Sequence, residues 1–362
     1  MAFNELKTFI KLTLAIALIL IVLPLVFSYF LAMFLGPVLL FSPEGLTISS
    51  EHRRLPILLF VIIGFYTPVA LNIGLVFLLL WGVFVICFVA AWKLRESFHG
   101  VIEKRFPHPM KKLFDNWLFA MPVVTSMMLT AVIAIHSFQE AHGVPTGKVP
   151  LPKNHFEALF ELSYAALIEE IGFRLTPIGA FLIVYLFWVG RKNVATLSWG
   201  ERLKLFLTAP LYPEKAKKMV GVKTVSDFGV RGGISLGEWI MVFFTSTIFG
   251  LAHYLSSGGW EIGKVTSASI VGLAMGLTYL LYGFQAPILL HWFFNYYLQF
   301  FNPQLALEFY PSLFLAFFLV EPLILILGEF GWLFFIILGL HKMFRALTKR
   351  VKSRLTQLPR TS

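Results

Sequence analysis

Eight stretches of this chain are apolar over lengths suited to crossing a bilayer, and nothing else restricts its fold as strongly: Leu12–Phe41, Leu55–Trp92, Trp117–Phe138, Phe156–Trp188, Leu236–Leu255, Ile262–Tyr282, Ala286–Phe301 and Ser312–Leu340. A span needs about 20 apolar residues. In hydrocarbon every backbone N–H and C=O must be satisfied inside the protein, which leaves the α-helix for segments of this kind. The sequence therefore predicts an all-α polytopic bundle of about eight transmembrane helices. Several stretches are over-long, and Pro37, Pro68, Pro177 and Pro322 are placed to kink or divide them. Composition agrees, with 58% hydrophobic and 14% charged residues against about 45–50% and 25% in soluble domains. The first stretch is far longer than the apolar part of a signal peptide and is read as a retained span.

The formal net charge is +11, and its distribution matters more than its size. Basic residues gather between the second and third stretches (Lys93 to Lys112), between the fourth and fifth (Arg191 to Arg231), and in the tail after Leu340. With eight spans all three lie on one side. Cytoplasmic loops carry excess Lys and Arg, so both termini are expected in the cytoplasm, with the basic loops against anionic lipid and no nucleic-acid partner. Glu201 to Leu207 reads either as an amphipathic piece at the headgroups or as part of a solvated linker. His99, His108 and His136 read as surface or interfacial residues.

Within the apolar run from Leu162 to Trp188 stand Glu169, Glu170 and Arg174. Charges at membrane depth point to function. On a regular helix Glu170 and Arg174 share a face and can pair, while Glu169 points about 100° away. Two later stretches supply Phe249-x-x-x-His253 and His291-x-x-x-Asn295. Glu169 with His253 could hold and deprotonate a water, and His291 with Asn295, one turn apart, could donate to an oxyanion. The same groups could instead be interhelical hydrogen-bond partners in a transporter or immunity-type scaffold, or His253, His291 and Glu169 could ligate zinc.

Other hydrolytic arrangements find little support. There is no His-Glu-x-x-His string, and Asp occurs only at Asp115 and Asp227, in loop-like sequence, so a membrane aspartyl pair is excluded. The single cysteine, Cys87, is read as packing. Ser256-Ser257-Gly258 after His253 reads as a loop rather than a nucleophile turn.

Taken in order, Glu169-Glu170-x-x-x-Arg174, Phe249-x-x-x-His253 and His291-x-x-x-Asn295 resemble the three motifs of the type II CAAX prenyl endopeptidases and their wider group, the CAAX proteases and bacteriocin-processing (Abi, CPBP) family. The resemblance covers about Phe156 to Phe301. It implies an intramembrane endopeptidase without a cofactor, in which Glu169 and His253 activate the water and His291 and Asn295 form the oxyanion site. Glu170, Arg174 and Phe249 would support that geometry. The implied partner is a membrane-anchored or lipidated substrate, a prenylated C-terminal tail in the prenyl proteases themselves. On this reading residues 155–302 are the catalytic core, 1–154 flank it, and 303–362 hold a last span and a basic tail. The aromatics around the third motif (Trp292, Phe293, Phe294, Tyr296, Tyr297) suggest a wide apolar opening, from the bilayer or the cytoplasmic side, leading to Glu169.

Overall fold

The computed structural model describes residues 2–103, 110–256, 258–301 and 314–356. Lys104, Arg105, His108, Ser257 and Arg360 lie outside them. The order of elements is α1 (Ala2–Leu40), α2 (Pro43–Ser49), strands β1 (His52–Arg53), β2 (Pro56–Phe60), β3 (Ile63–Tyr66) and β4 (Leu71–Asn72), then α3 (Ile73–Lys93), α4 (Phe98–Glu103) and α5 (Trp117–Ala141). The motif-bearing half follows, with α6 (His155–Glu170) running through a π-helical turn (Ile171–Leu175) into α7 (Pro177–Val189). Four short helices, α8 (Arg191–Thr196), α9 (Trp199–Leu211), α10 (Pro213–Met219) and α11 (Val225–Gly233), lead to α12 (Leu236–Leu255) and α13 (Gly263–Tyr282). Last come α14 (Gln285–Trp292), a second π turn (Phe293–Tyr297), α15 (Leu298–Phe300) and α16 (Phe314–Thr356).

Seven helices among the described residues are long and apolar enough to cross a membrane. This differs from the expected eight in two places. Leu55–Trp92 is not one helix: residues 56–66 form an antiparallel hairpin, and the span begins at Ile73, where the Asn72 side chain accepts from the Leu75 N–H. Pro56, Gly64 and Pro68 lie in the part that left the helix and are poor helix residues. The eighth candidate, Ala286–Phe301, becomes the helical run Gln285–Phe300, about 24 Å long at 1.5 Å per residue. It is buried on nearly every side at the bundle centre, as an all-round apolar helix should be.

Those central aromatics are packing residues and do not line the opening that leads to Glu169. Trp292 meets Phe88 and Tyr29 edge-on, Tyr296 donates its hydroxyl to the Ala32 carbonyl, and Tyr297 shares a hydrogen bond with Ser28. Of the five, Phe294 alone lines the small cavity that holds the motif histidines.

Side-chain ties define two ends of the bundle. At one, Asn116 donates to the Ala91 and Trp92 carbonyls, Tyr282 to Phe114, and the Phe284 N–H to Leu211. This end carries the basic loops. There α9, which includes Glu201–Leu207, is a true helix opened by a Ser198–Glu201 capping box. Hydrogen bonds from Ser198 hold the Glu201 carboxyl below its usual range. Here too Lys217 lies buried, 2.5 Å from Glu238. At the other end Arg53 pairs with Glu51 and Glu157, Asn154 donates to the Glu44 carbonyl, and residues 145–148 bond to residues 259–263. The contact with Glu157, more than that with Glu51, keeps the Arg53 guanidinium protonated beyond its ordinary range.

Candidate active site

The π turn in the α6–α7 helix follows from its sequence. Proline at 177 has no N–H, and its ring would crowd the carbonyl four residues back. Widening the preceding turn relieves this, so the Thr176 N–H reaches the Ile171 carbonyl five residues back, at 3.0 Å. The Gly172 carbonyl is thereby released from the main ladder and accepts instead from the Val61 N–H in the turn of the β2–β3 hairpin, at 2.9 Å. Gly172 is needed for this approach, because a Cβ there would lie 2.4 Å from the Leu58 side chain. The hairpin is thus pinned to the helix turn that follows Glu169 and Glu170.

Glu170 and Arg174 pair as the spacing predicts, with Nη1 donating to Oε1 at 2.8 Å and both side chains fully buried. The pair extends further than spacing alone shows. His291 Nδ1 donates to the same Glu170 oxygen at 2.8 Å, which leaves Nε2 turned toward Glu169, 3.8 Å from its Oε2. The Arg174 guanidinium also lies 4.3 Å over the Phe249 ring and donates to the Gly272 carbonyl, and Phe249 in turn meets the rings of His253 and His291 edge-on. One arginine therefore joins all three motifs.

His253 donates from Nδ1 to the Phe249 carbonyl at 2.8 Å, so Nε2 is the nitrogen left for chemistry. Asn295 donates one N–H to the Leu162 carbonyl at 3.3 Å and has a second. His253, His291 and Asn295 line one narrow cavity of about 60 Å³ together with Lys264. Glu169, with 31% of its side chain exposed, lines a larger cleft of about 660 Å³ between the hairpin and α6, which also includes Arg54, Tyr164 and Ser256. His291, in the cavity wall, lies 3.8 Å from Glu169 in the cleft.

The structure thus brings together the four residues expected to act, but in a different pairing. No direct hydrogen bond joins Glu169 to His253 among the described residues; the imidazole closest to the Glu169 carboxylate is that of His291, with Nε2 at 3.8 Å. Among the described residues no three His, Cys, Asp or Glu side chains are grouped as metal ligands. Two features escaped the sequence reading. Lys264 stacks on Trp260 at 3.9 Å beside the cavity, and a lone lysine at a span end gives no warning of that. His136, expected at the surface or the membrane interface, is half-buried and hydrogen-bonded to Ser267 between α5 and α13 at 2.7 Å. Cys87 is buried, as packing requires.

A second π turn, where the Leu298 N–H reaches back to Phe293, follows His291 just as the first follows Glu170. A π turn shifts the facing of the residues around it, so the helices of the first and third motifs re-aim their polar side chains without breaking, while α12, with Phe249 and His253, stays a regular α-helix.

Residues 152–297 match the family model described as type II CAAX prenyl endopeptidase Rce1-like. No curated protein and no solved structure matches the chain.

Proposed function

From a chain that carries an Rce1-like type II CAAX prenyl endopeptidase domain over residues 152–297, we propose a multi-pass intramembrane endopeptidase in which Glu169 deprotonates the attacking water. The family implies a protease acting on a peptide or protein. The single observation that carries the mechanism is the contrast between two neighbouring carboxylates. Glu170 is sealed and occupied by Arg174 and His291, whereas Glu169 is partly exposed in a cleft of peptide size.

In this mechanism Glu169 takes a proton from water while His253 Nε2 accepts from the same water and orients it, and the proton held by Glu169 passes to the amine nitrogen as the C–N bond breaks. The spare Asn295 N–H supports the oxyanion formed on the attacked carbonyl. His291 joins in from Nε2 when both its ring nitrogens carry protons, its orientation fixed by Glu170. Such donors are worth most where water is excluded. The substrate is a membrane-associated chain cut near its C-terminus, and prenylated tails are the first candidates.

Purified protein in detergent, offered a prenylated peptide reporter, tests this. Glu169→Gln keeps the shape and should lower kcat by about 10²–10⁴-fold with KM little changed. Asn295→Ala should lower kcat by about 10²–10³-fold. Cleavage that survives Glu169→Gln would refute the assignment, and cleavage abolished by a chelator and restored by zinc would favour metal chemistry instead.

A further inference from the structure

The hairpin that walls the Glu169 cleft lies outside the matched family segment and brings two arginines with it. Their situations differ. Arg53 is neutralised by Glu51 and Glu157, at 2.7 and 2.5 Å. Arg54 is exposed and lines the cleft with Glu169. It forms no ion pair or hydrogen bond with any described residue, not even with Glu161 in the same cleft. A cleft with apolar walls, a water-activating carboxylate at one place and a free guanidinium at another is complementary to an apolar peptide tail ending in a carboxylate.

Three ties fix the spacing between the two groups. Arg53 is held to Glu157, the Tyr164 hydroxyl donates to the Pro56 carbonyl, and the Val61 N–H bonds to Gly172. The segment from Arg53 to Val61 therefore runs alongside α6 in the same direction. Arg54 stands near the level of Glu157, and from there to Glu169 the helix rises about 18 Å. Three to four extended residues cover about 10–14 Å of that distance, leaving a remainder within the length of an arginine side chain.

We infer that Arg54 binds the C-terminal carboxylate of the substrate and so sets the cut a few residues from the chain end. This rests on the endopeptidase reading and adds a specificity residue to it. The tail would lie in the cleft antiparallel to β2, with the scissile carbonyl at Glu169 and the last carboxylate in a charge-assisted, two-pronged contact with the guanidinium. Arg54 is a positioning residue and takes no part in the chemistry.

The test uses full-length protein and two fluorescent peptides identical but for the terminus. Each carries an S-farnesyl cysteine followed by three aliphatic residues, one ending in a free acid and the other in an amide. Binding is read by anisotropy and cleavage by product release. The wild-type protein should favour the acid about tenfold, in Kd and in KM, and Arg54→Gln should remove that preference by weakening the acid alone. Arg54→Lys should retain part of it. Arg53→Gln, which breaks the pair with Glu157, should instead lower thermal stability while the acid-to-amide ratio persists. Equal handling of acid and amide by the wild-type protein, or an equal loss of both in Arg54→Gln, would overturn the inference. The two readings fail separately: acid-selective binding without cleavage keeps the carboxylate site and sinks the protease, whereas Glu169-dependent cleavage blind to the terminus does the reverse. If neither peptide binds nor is cut, both are wrong.

Discussion

Among the described residues two buried pairs join a lysine or arginine to a carboxylate, Lys217–Glu238 at the basic end and Glu170–Arg174 midway along the bundle, and the two are put to different use. At the basic end Lys217 meets Glu238 at 2.5 Å and donates to the Gly233 carbonyl, while the other Glu238 oxygen accepts from the Ser235 N–H that opens α12. That circuit closes on itself, tying the α8–α11 segment to the start of a span. Glu170 and Arg174 are equally buried, but their carboxylate also holds His291, whose far nitrogen faces Glu169 in an open cleft. Burial of a charge is therefore a poor marker of chemistry in this protein. What distinguishes the second pair is that its chain of contacts ends on a group a substrate can reach.

Breaking each pair sharpens the contrast most. Arg174→Ala and Lys217→Ala each strand a buried carboxylate, and each should cost about 3–5 kcal/mol, seen as a large fall in thermal midpoint in detergent. The folded fraction decides between the roles: specific activity should collapse for Arg174→Ala and hold for Lys217→Ala. Loss of specific activity in both would mean the basic end is coupled to the site after all.

A smaller effect is expected from Gly172→Ala, which drives a Cβ toward Leu58 at an overpacking cost of about 1–3 kcal/mol. Since the hairpin and not the bundle must give way, KM should rise more than stability falls. Limited proteolysis near residues 61–64 would show the loosened hairpin, and unchanged KM would separate the hairpin from substrate binding.

The smallest change tests the sidedness of the two ends. In a Cys87→Ala background, expected to retain nearly full activity because Cys87 only packs, single cysteines replacing the exposed Lys215 and Arg54 should label from opposite faces. Basic loops favour the cytoplasm, so an impermeant reagent should reach position 215 from the cytoplasmic side and position 54 from the other. Labelling of both from one face would contradict a cleft that opens away from the basic loops.

How far the sequence carries is instructive at particular residues. Helix periodicity alone pairs Glu170 with Arg174 and places Glu169 apart, and the apolar run Leu236–Leu255 gives α12 its bounds. It cannot show that His291, 121 positions from Glu170, joins the pair, because side-chain spacing reports only neighbours on one helix. The hairpin is hidden for another reason. Ile62, Ile63, Phe65 and Tyr66 are exposed apolar residues, so in the sequence they look like any lipid-facing span. The α14–α15 run shows the opposite error, an apolar segment that is a central packing helix rather than one of full crossing length.

The base of the hairpin has a consequence for how such a protein can change over time. β1 and β4 place His52 opposite Asn72 and Arg53 opposite Leu71, so everything between them enters and leaves the bundle at one point. A segment attached in this way can be lengthened, shortened or exchanged without threading the helices differently. The residues that cut and the residues that choose what is cut would then be inherited as separate pieces, and new specificities could arise by swapping a loop of fewer than about 20 residues onto an unchanged catalytic bundle.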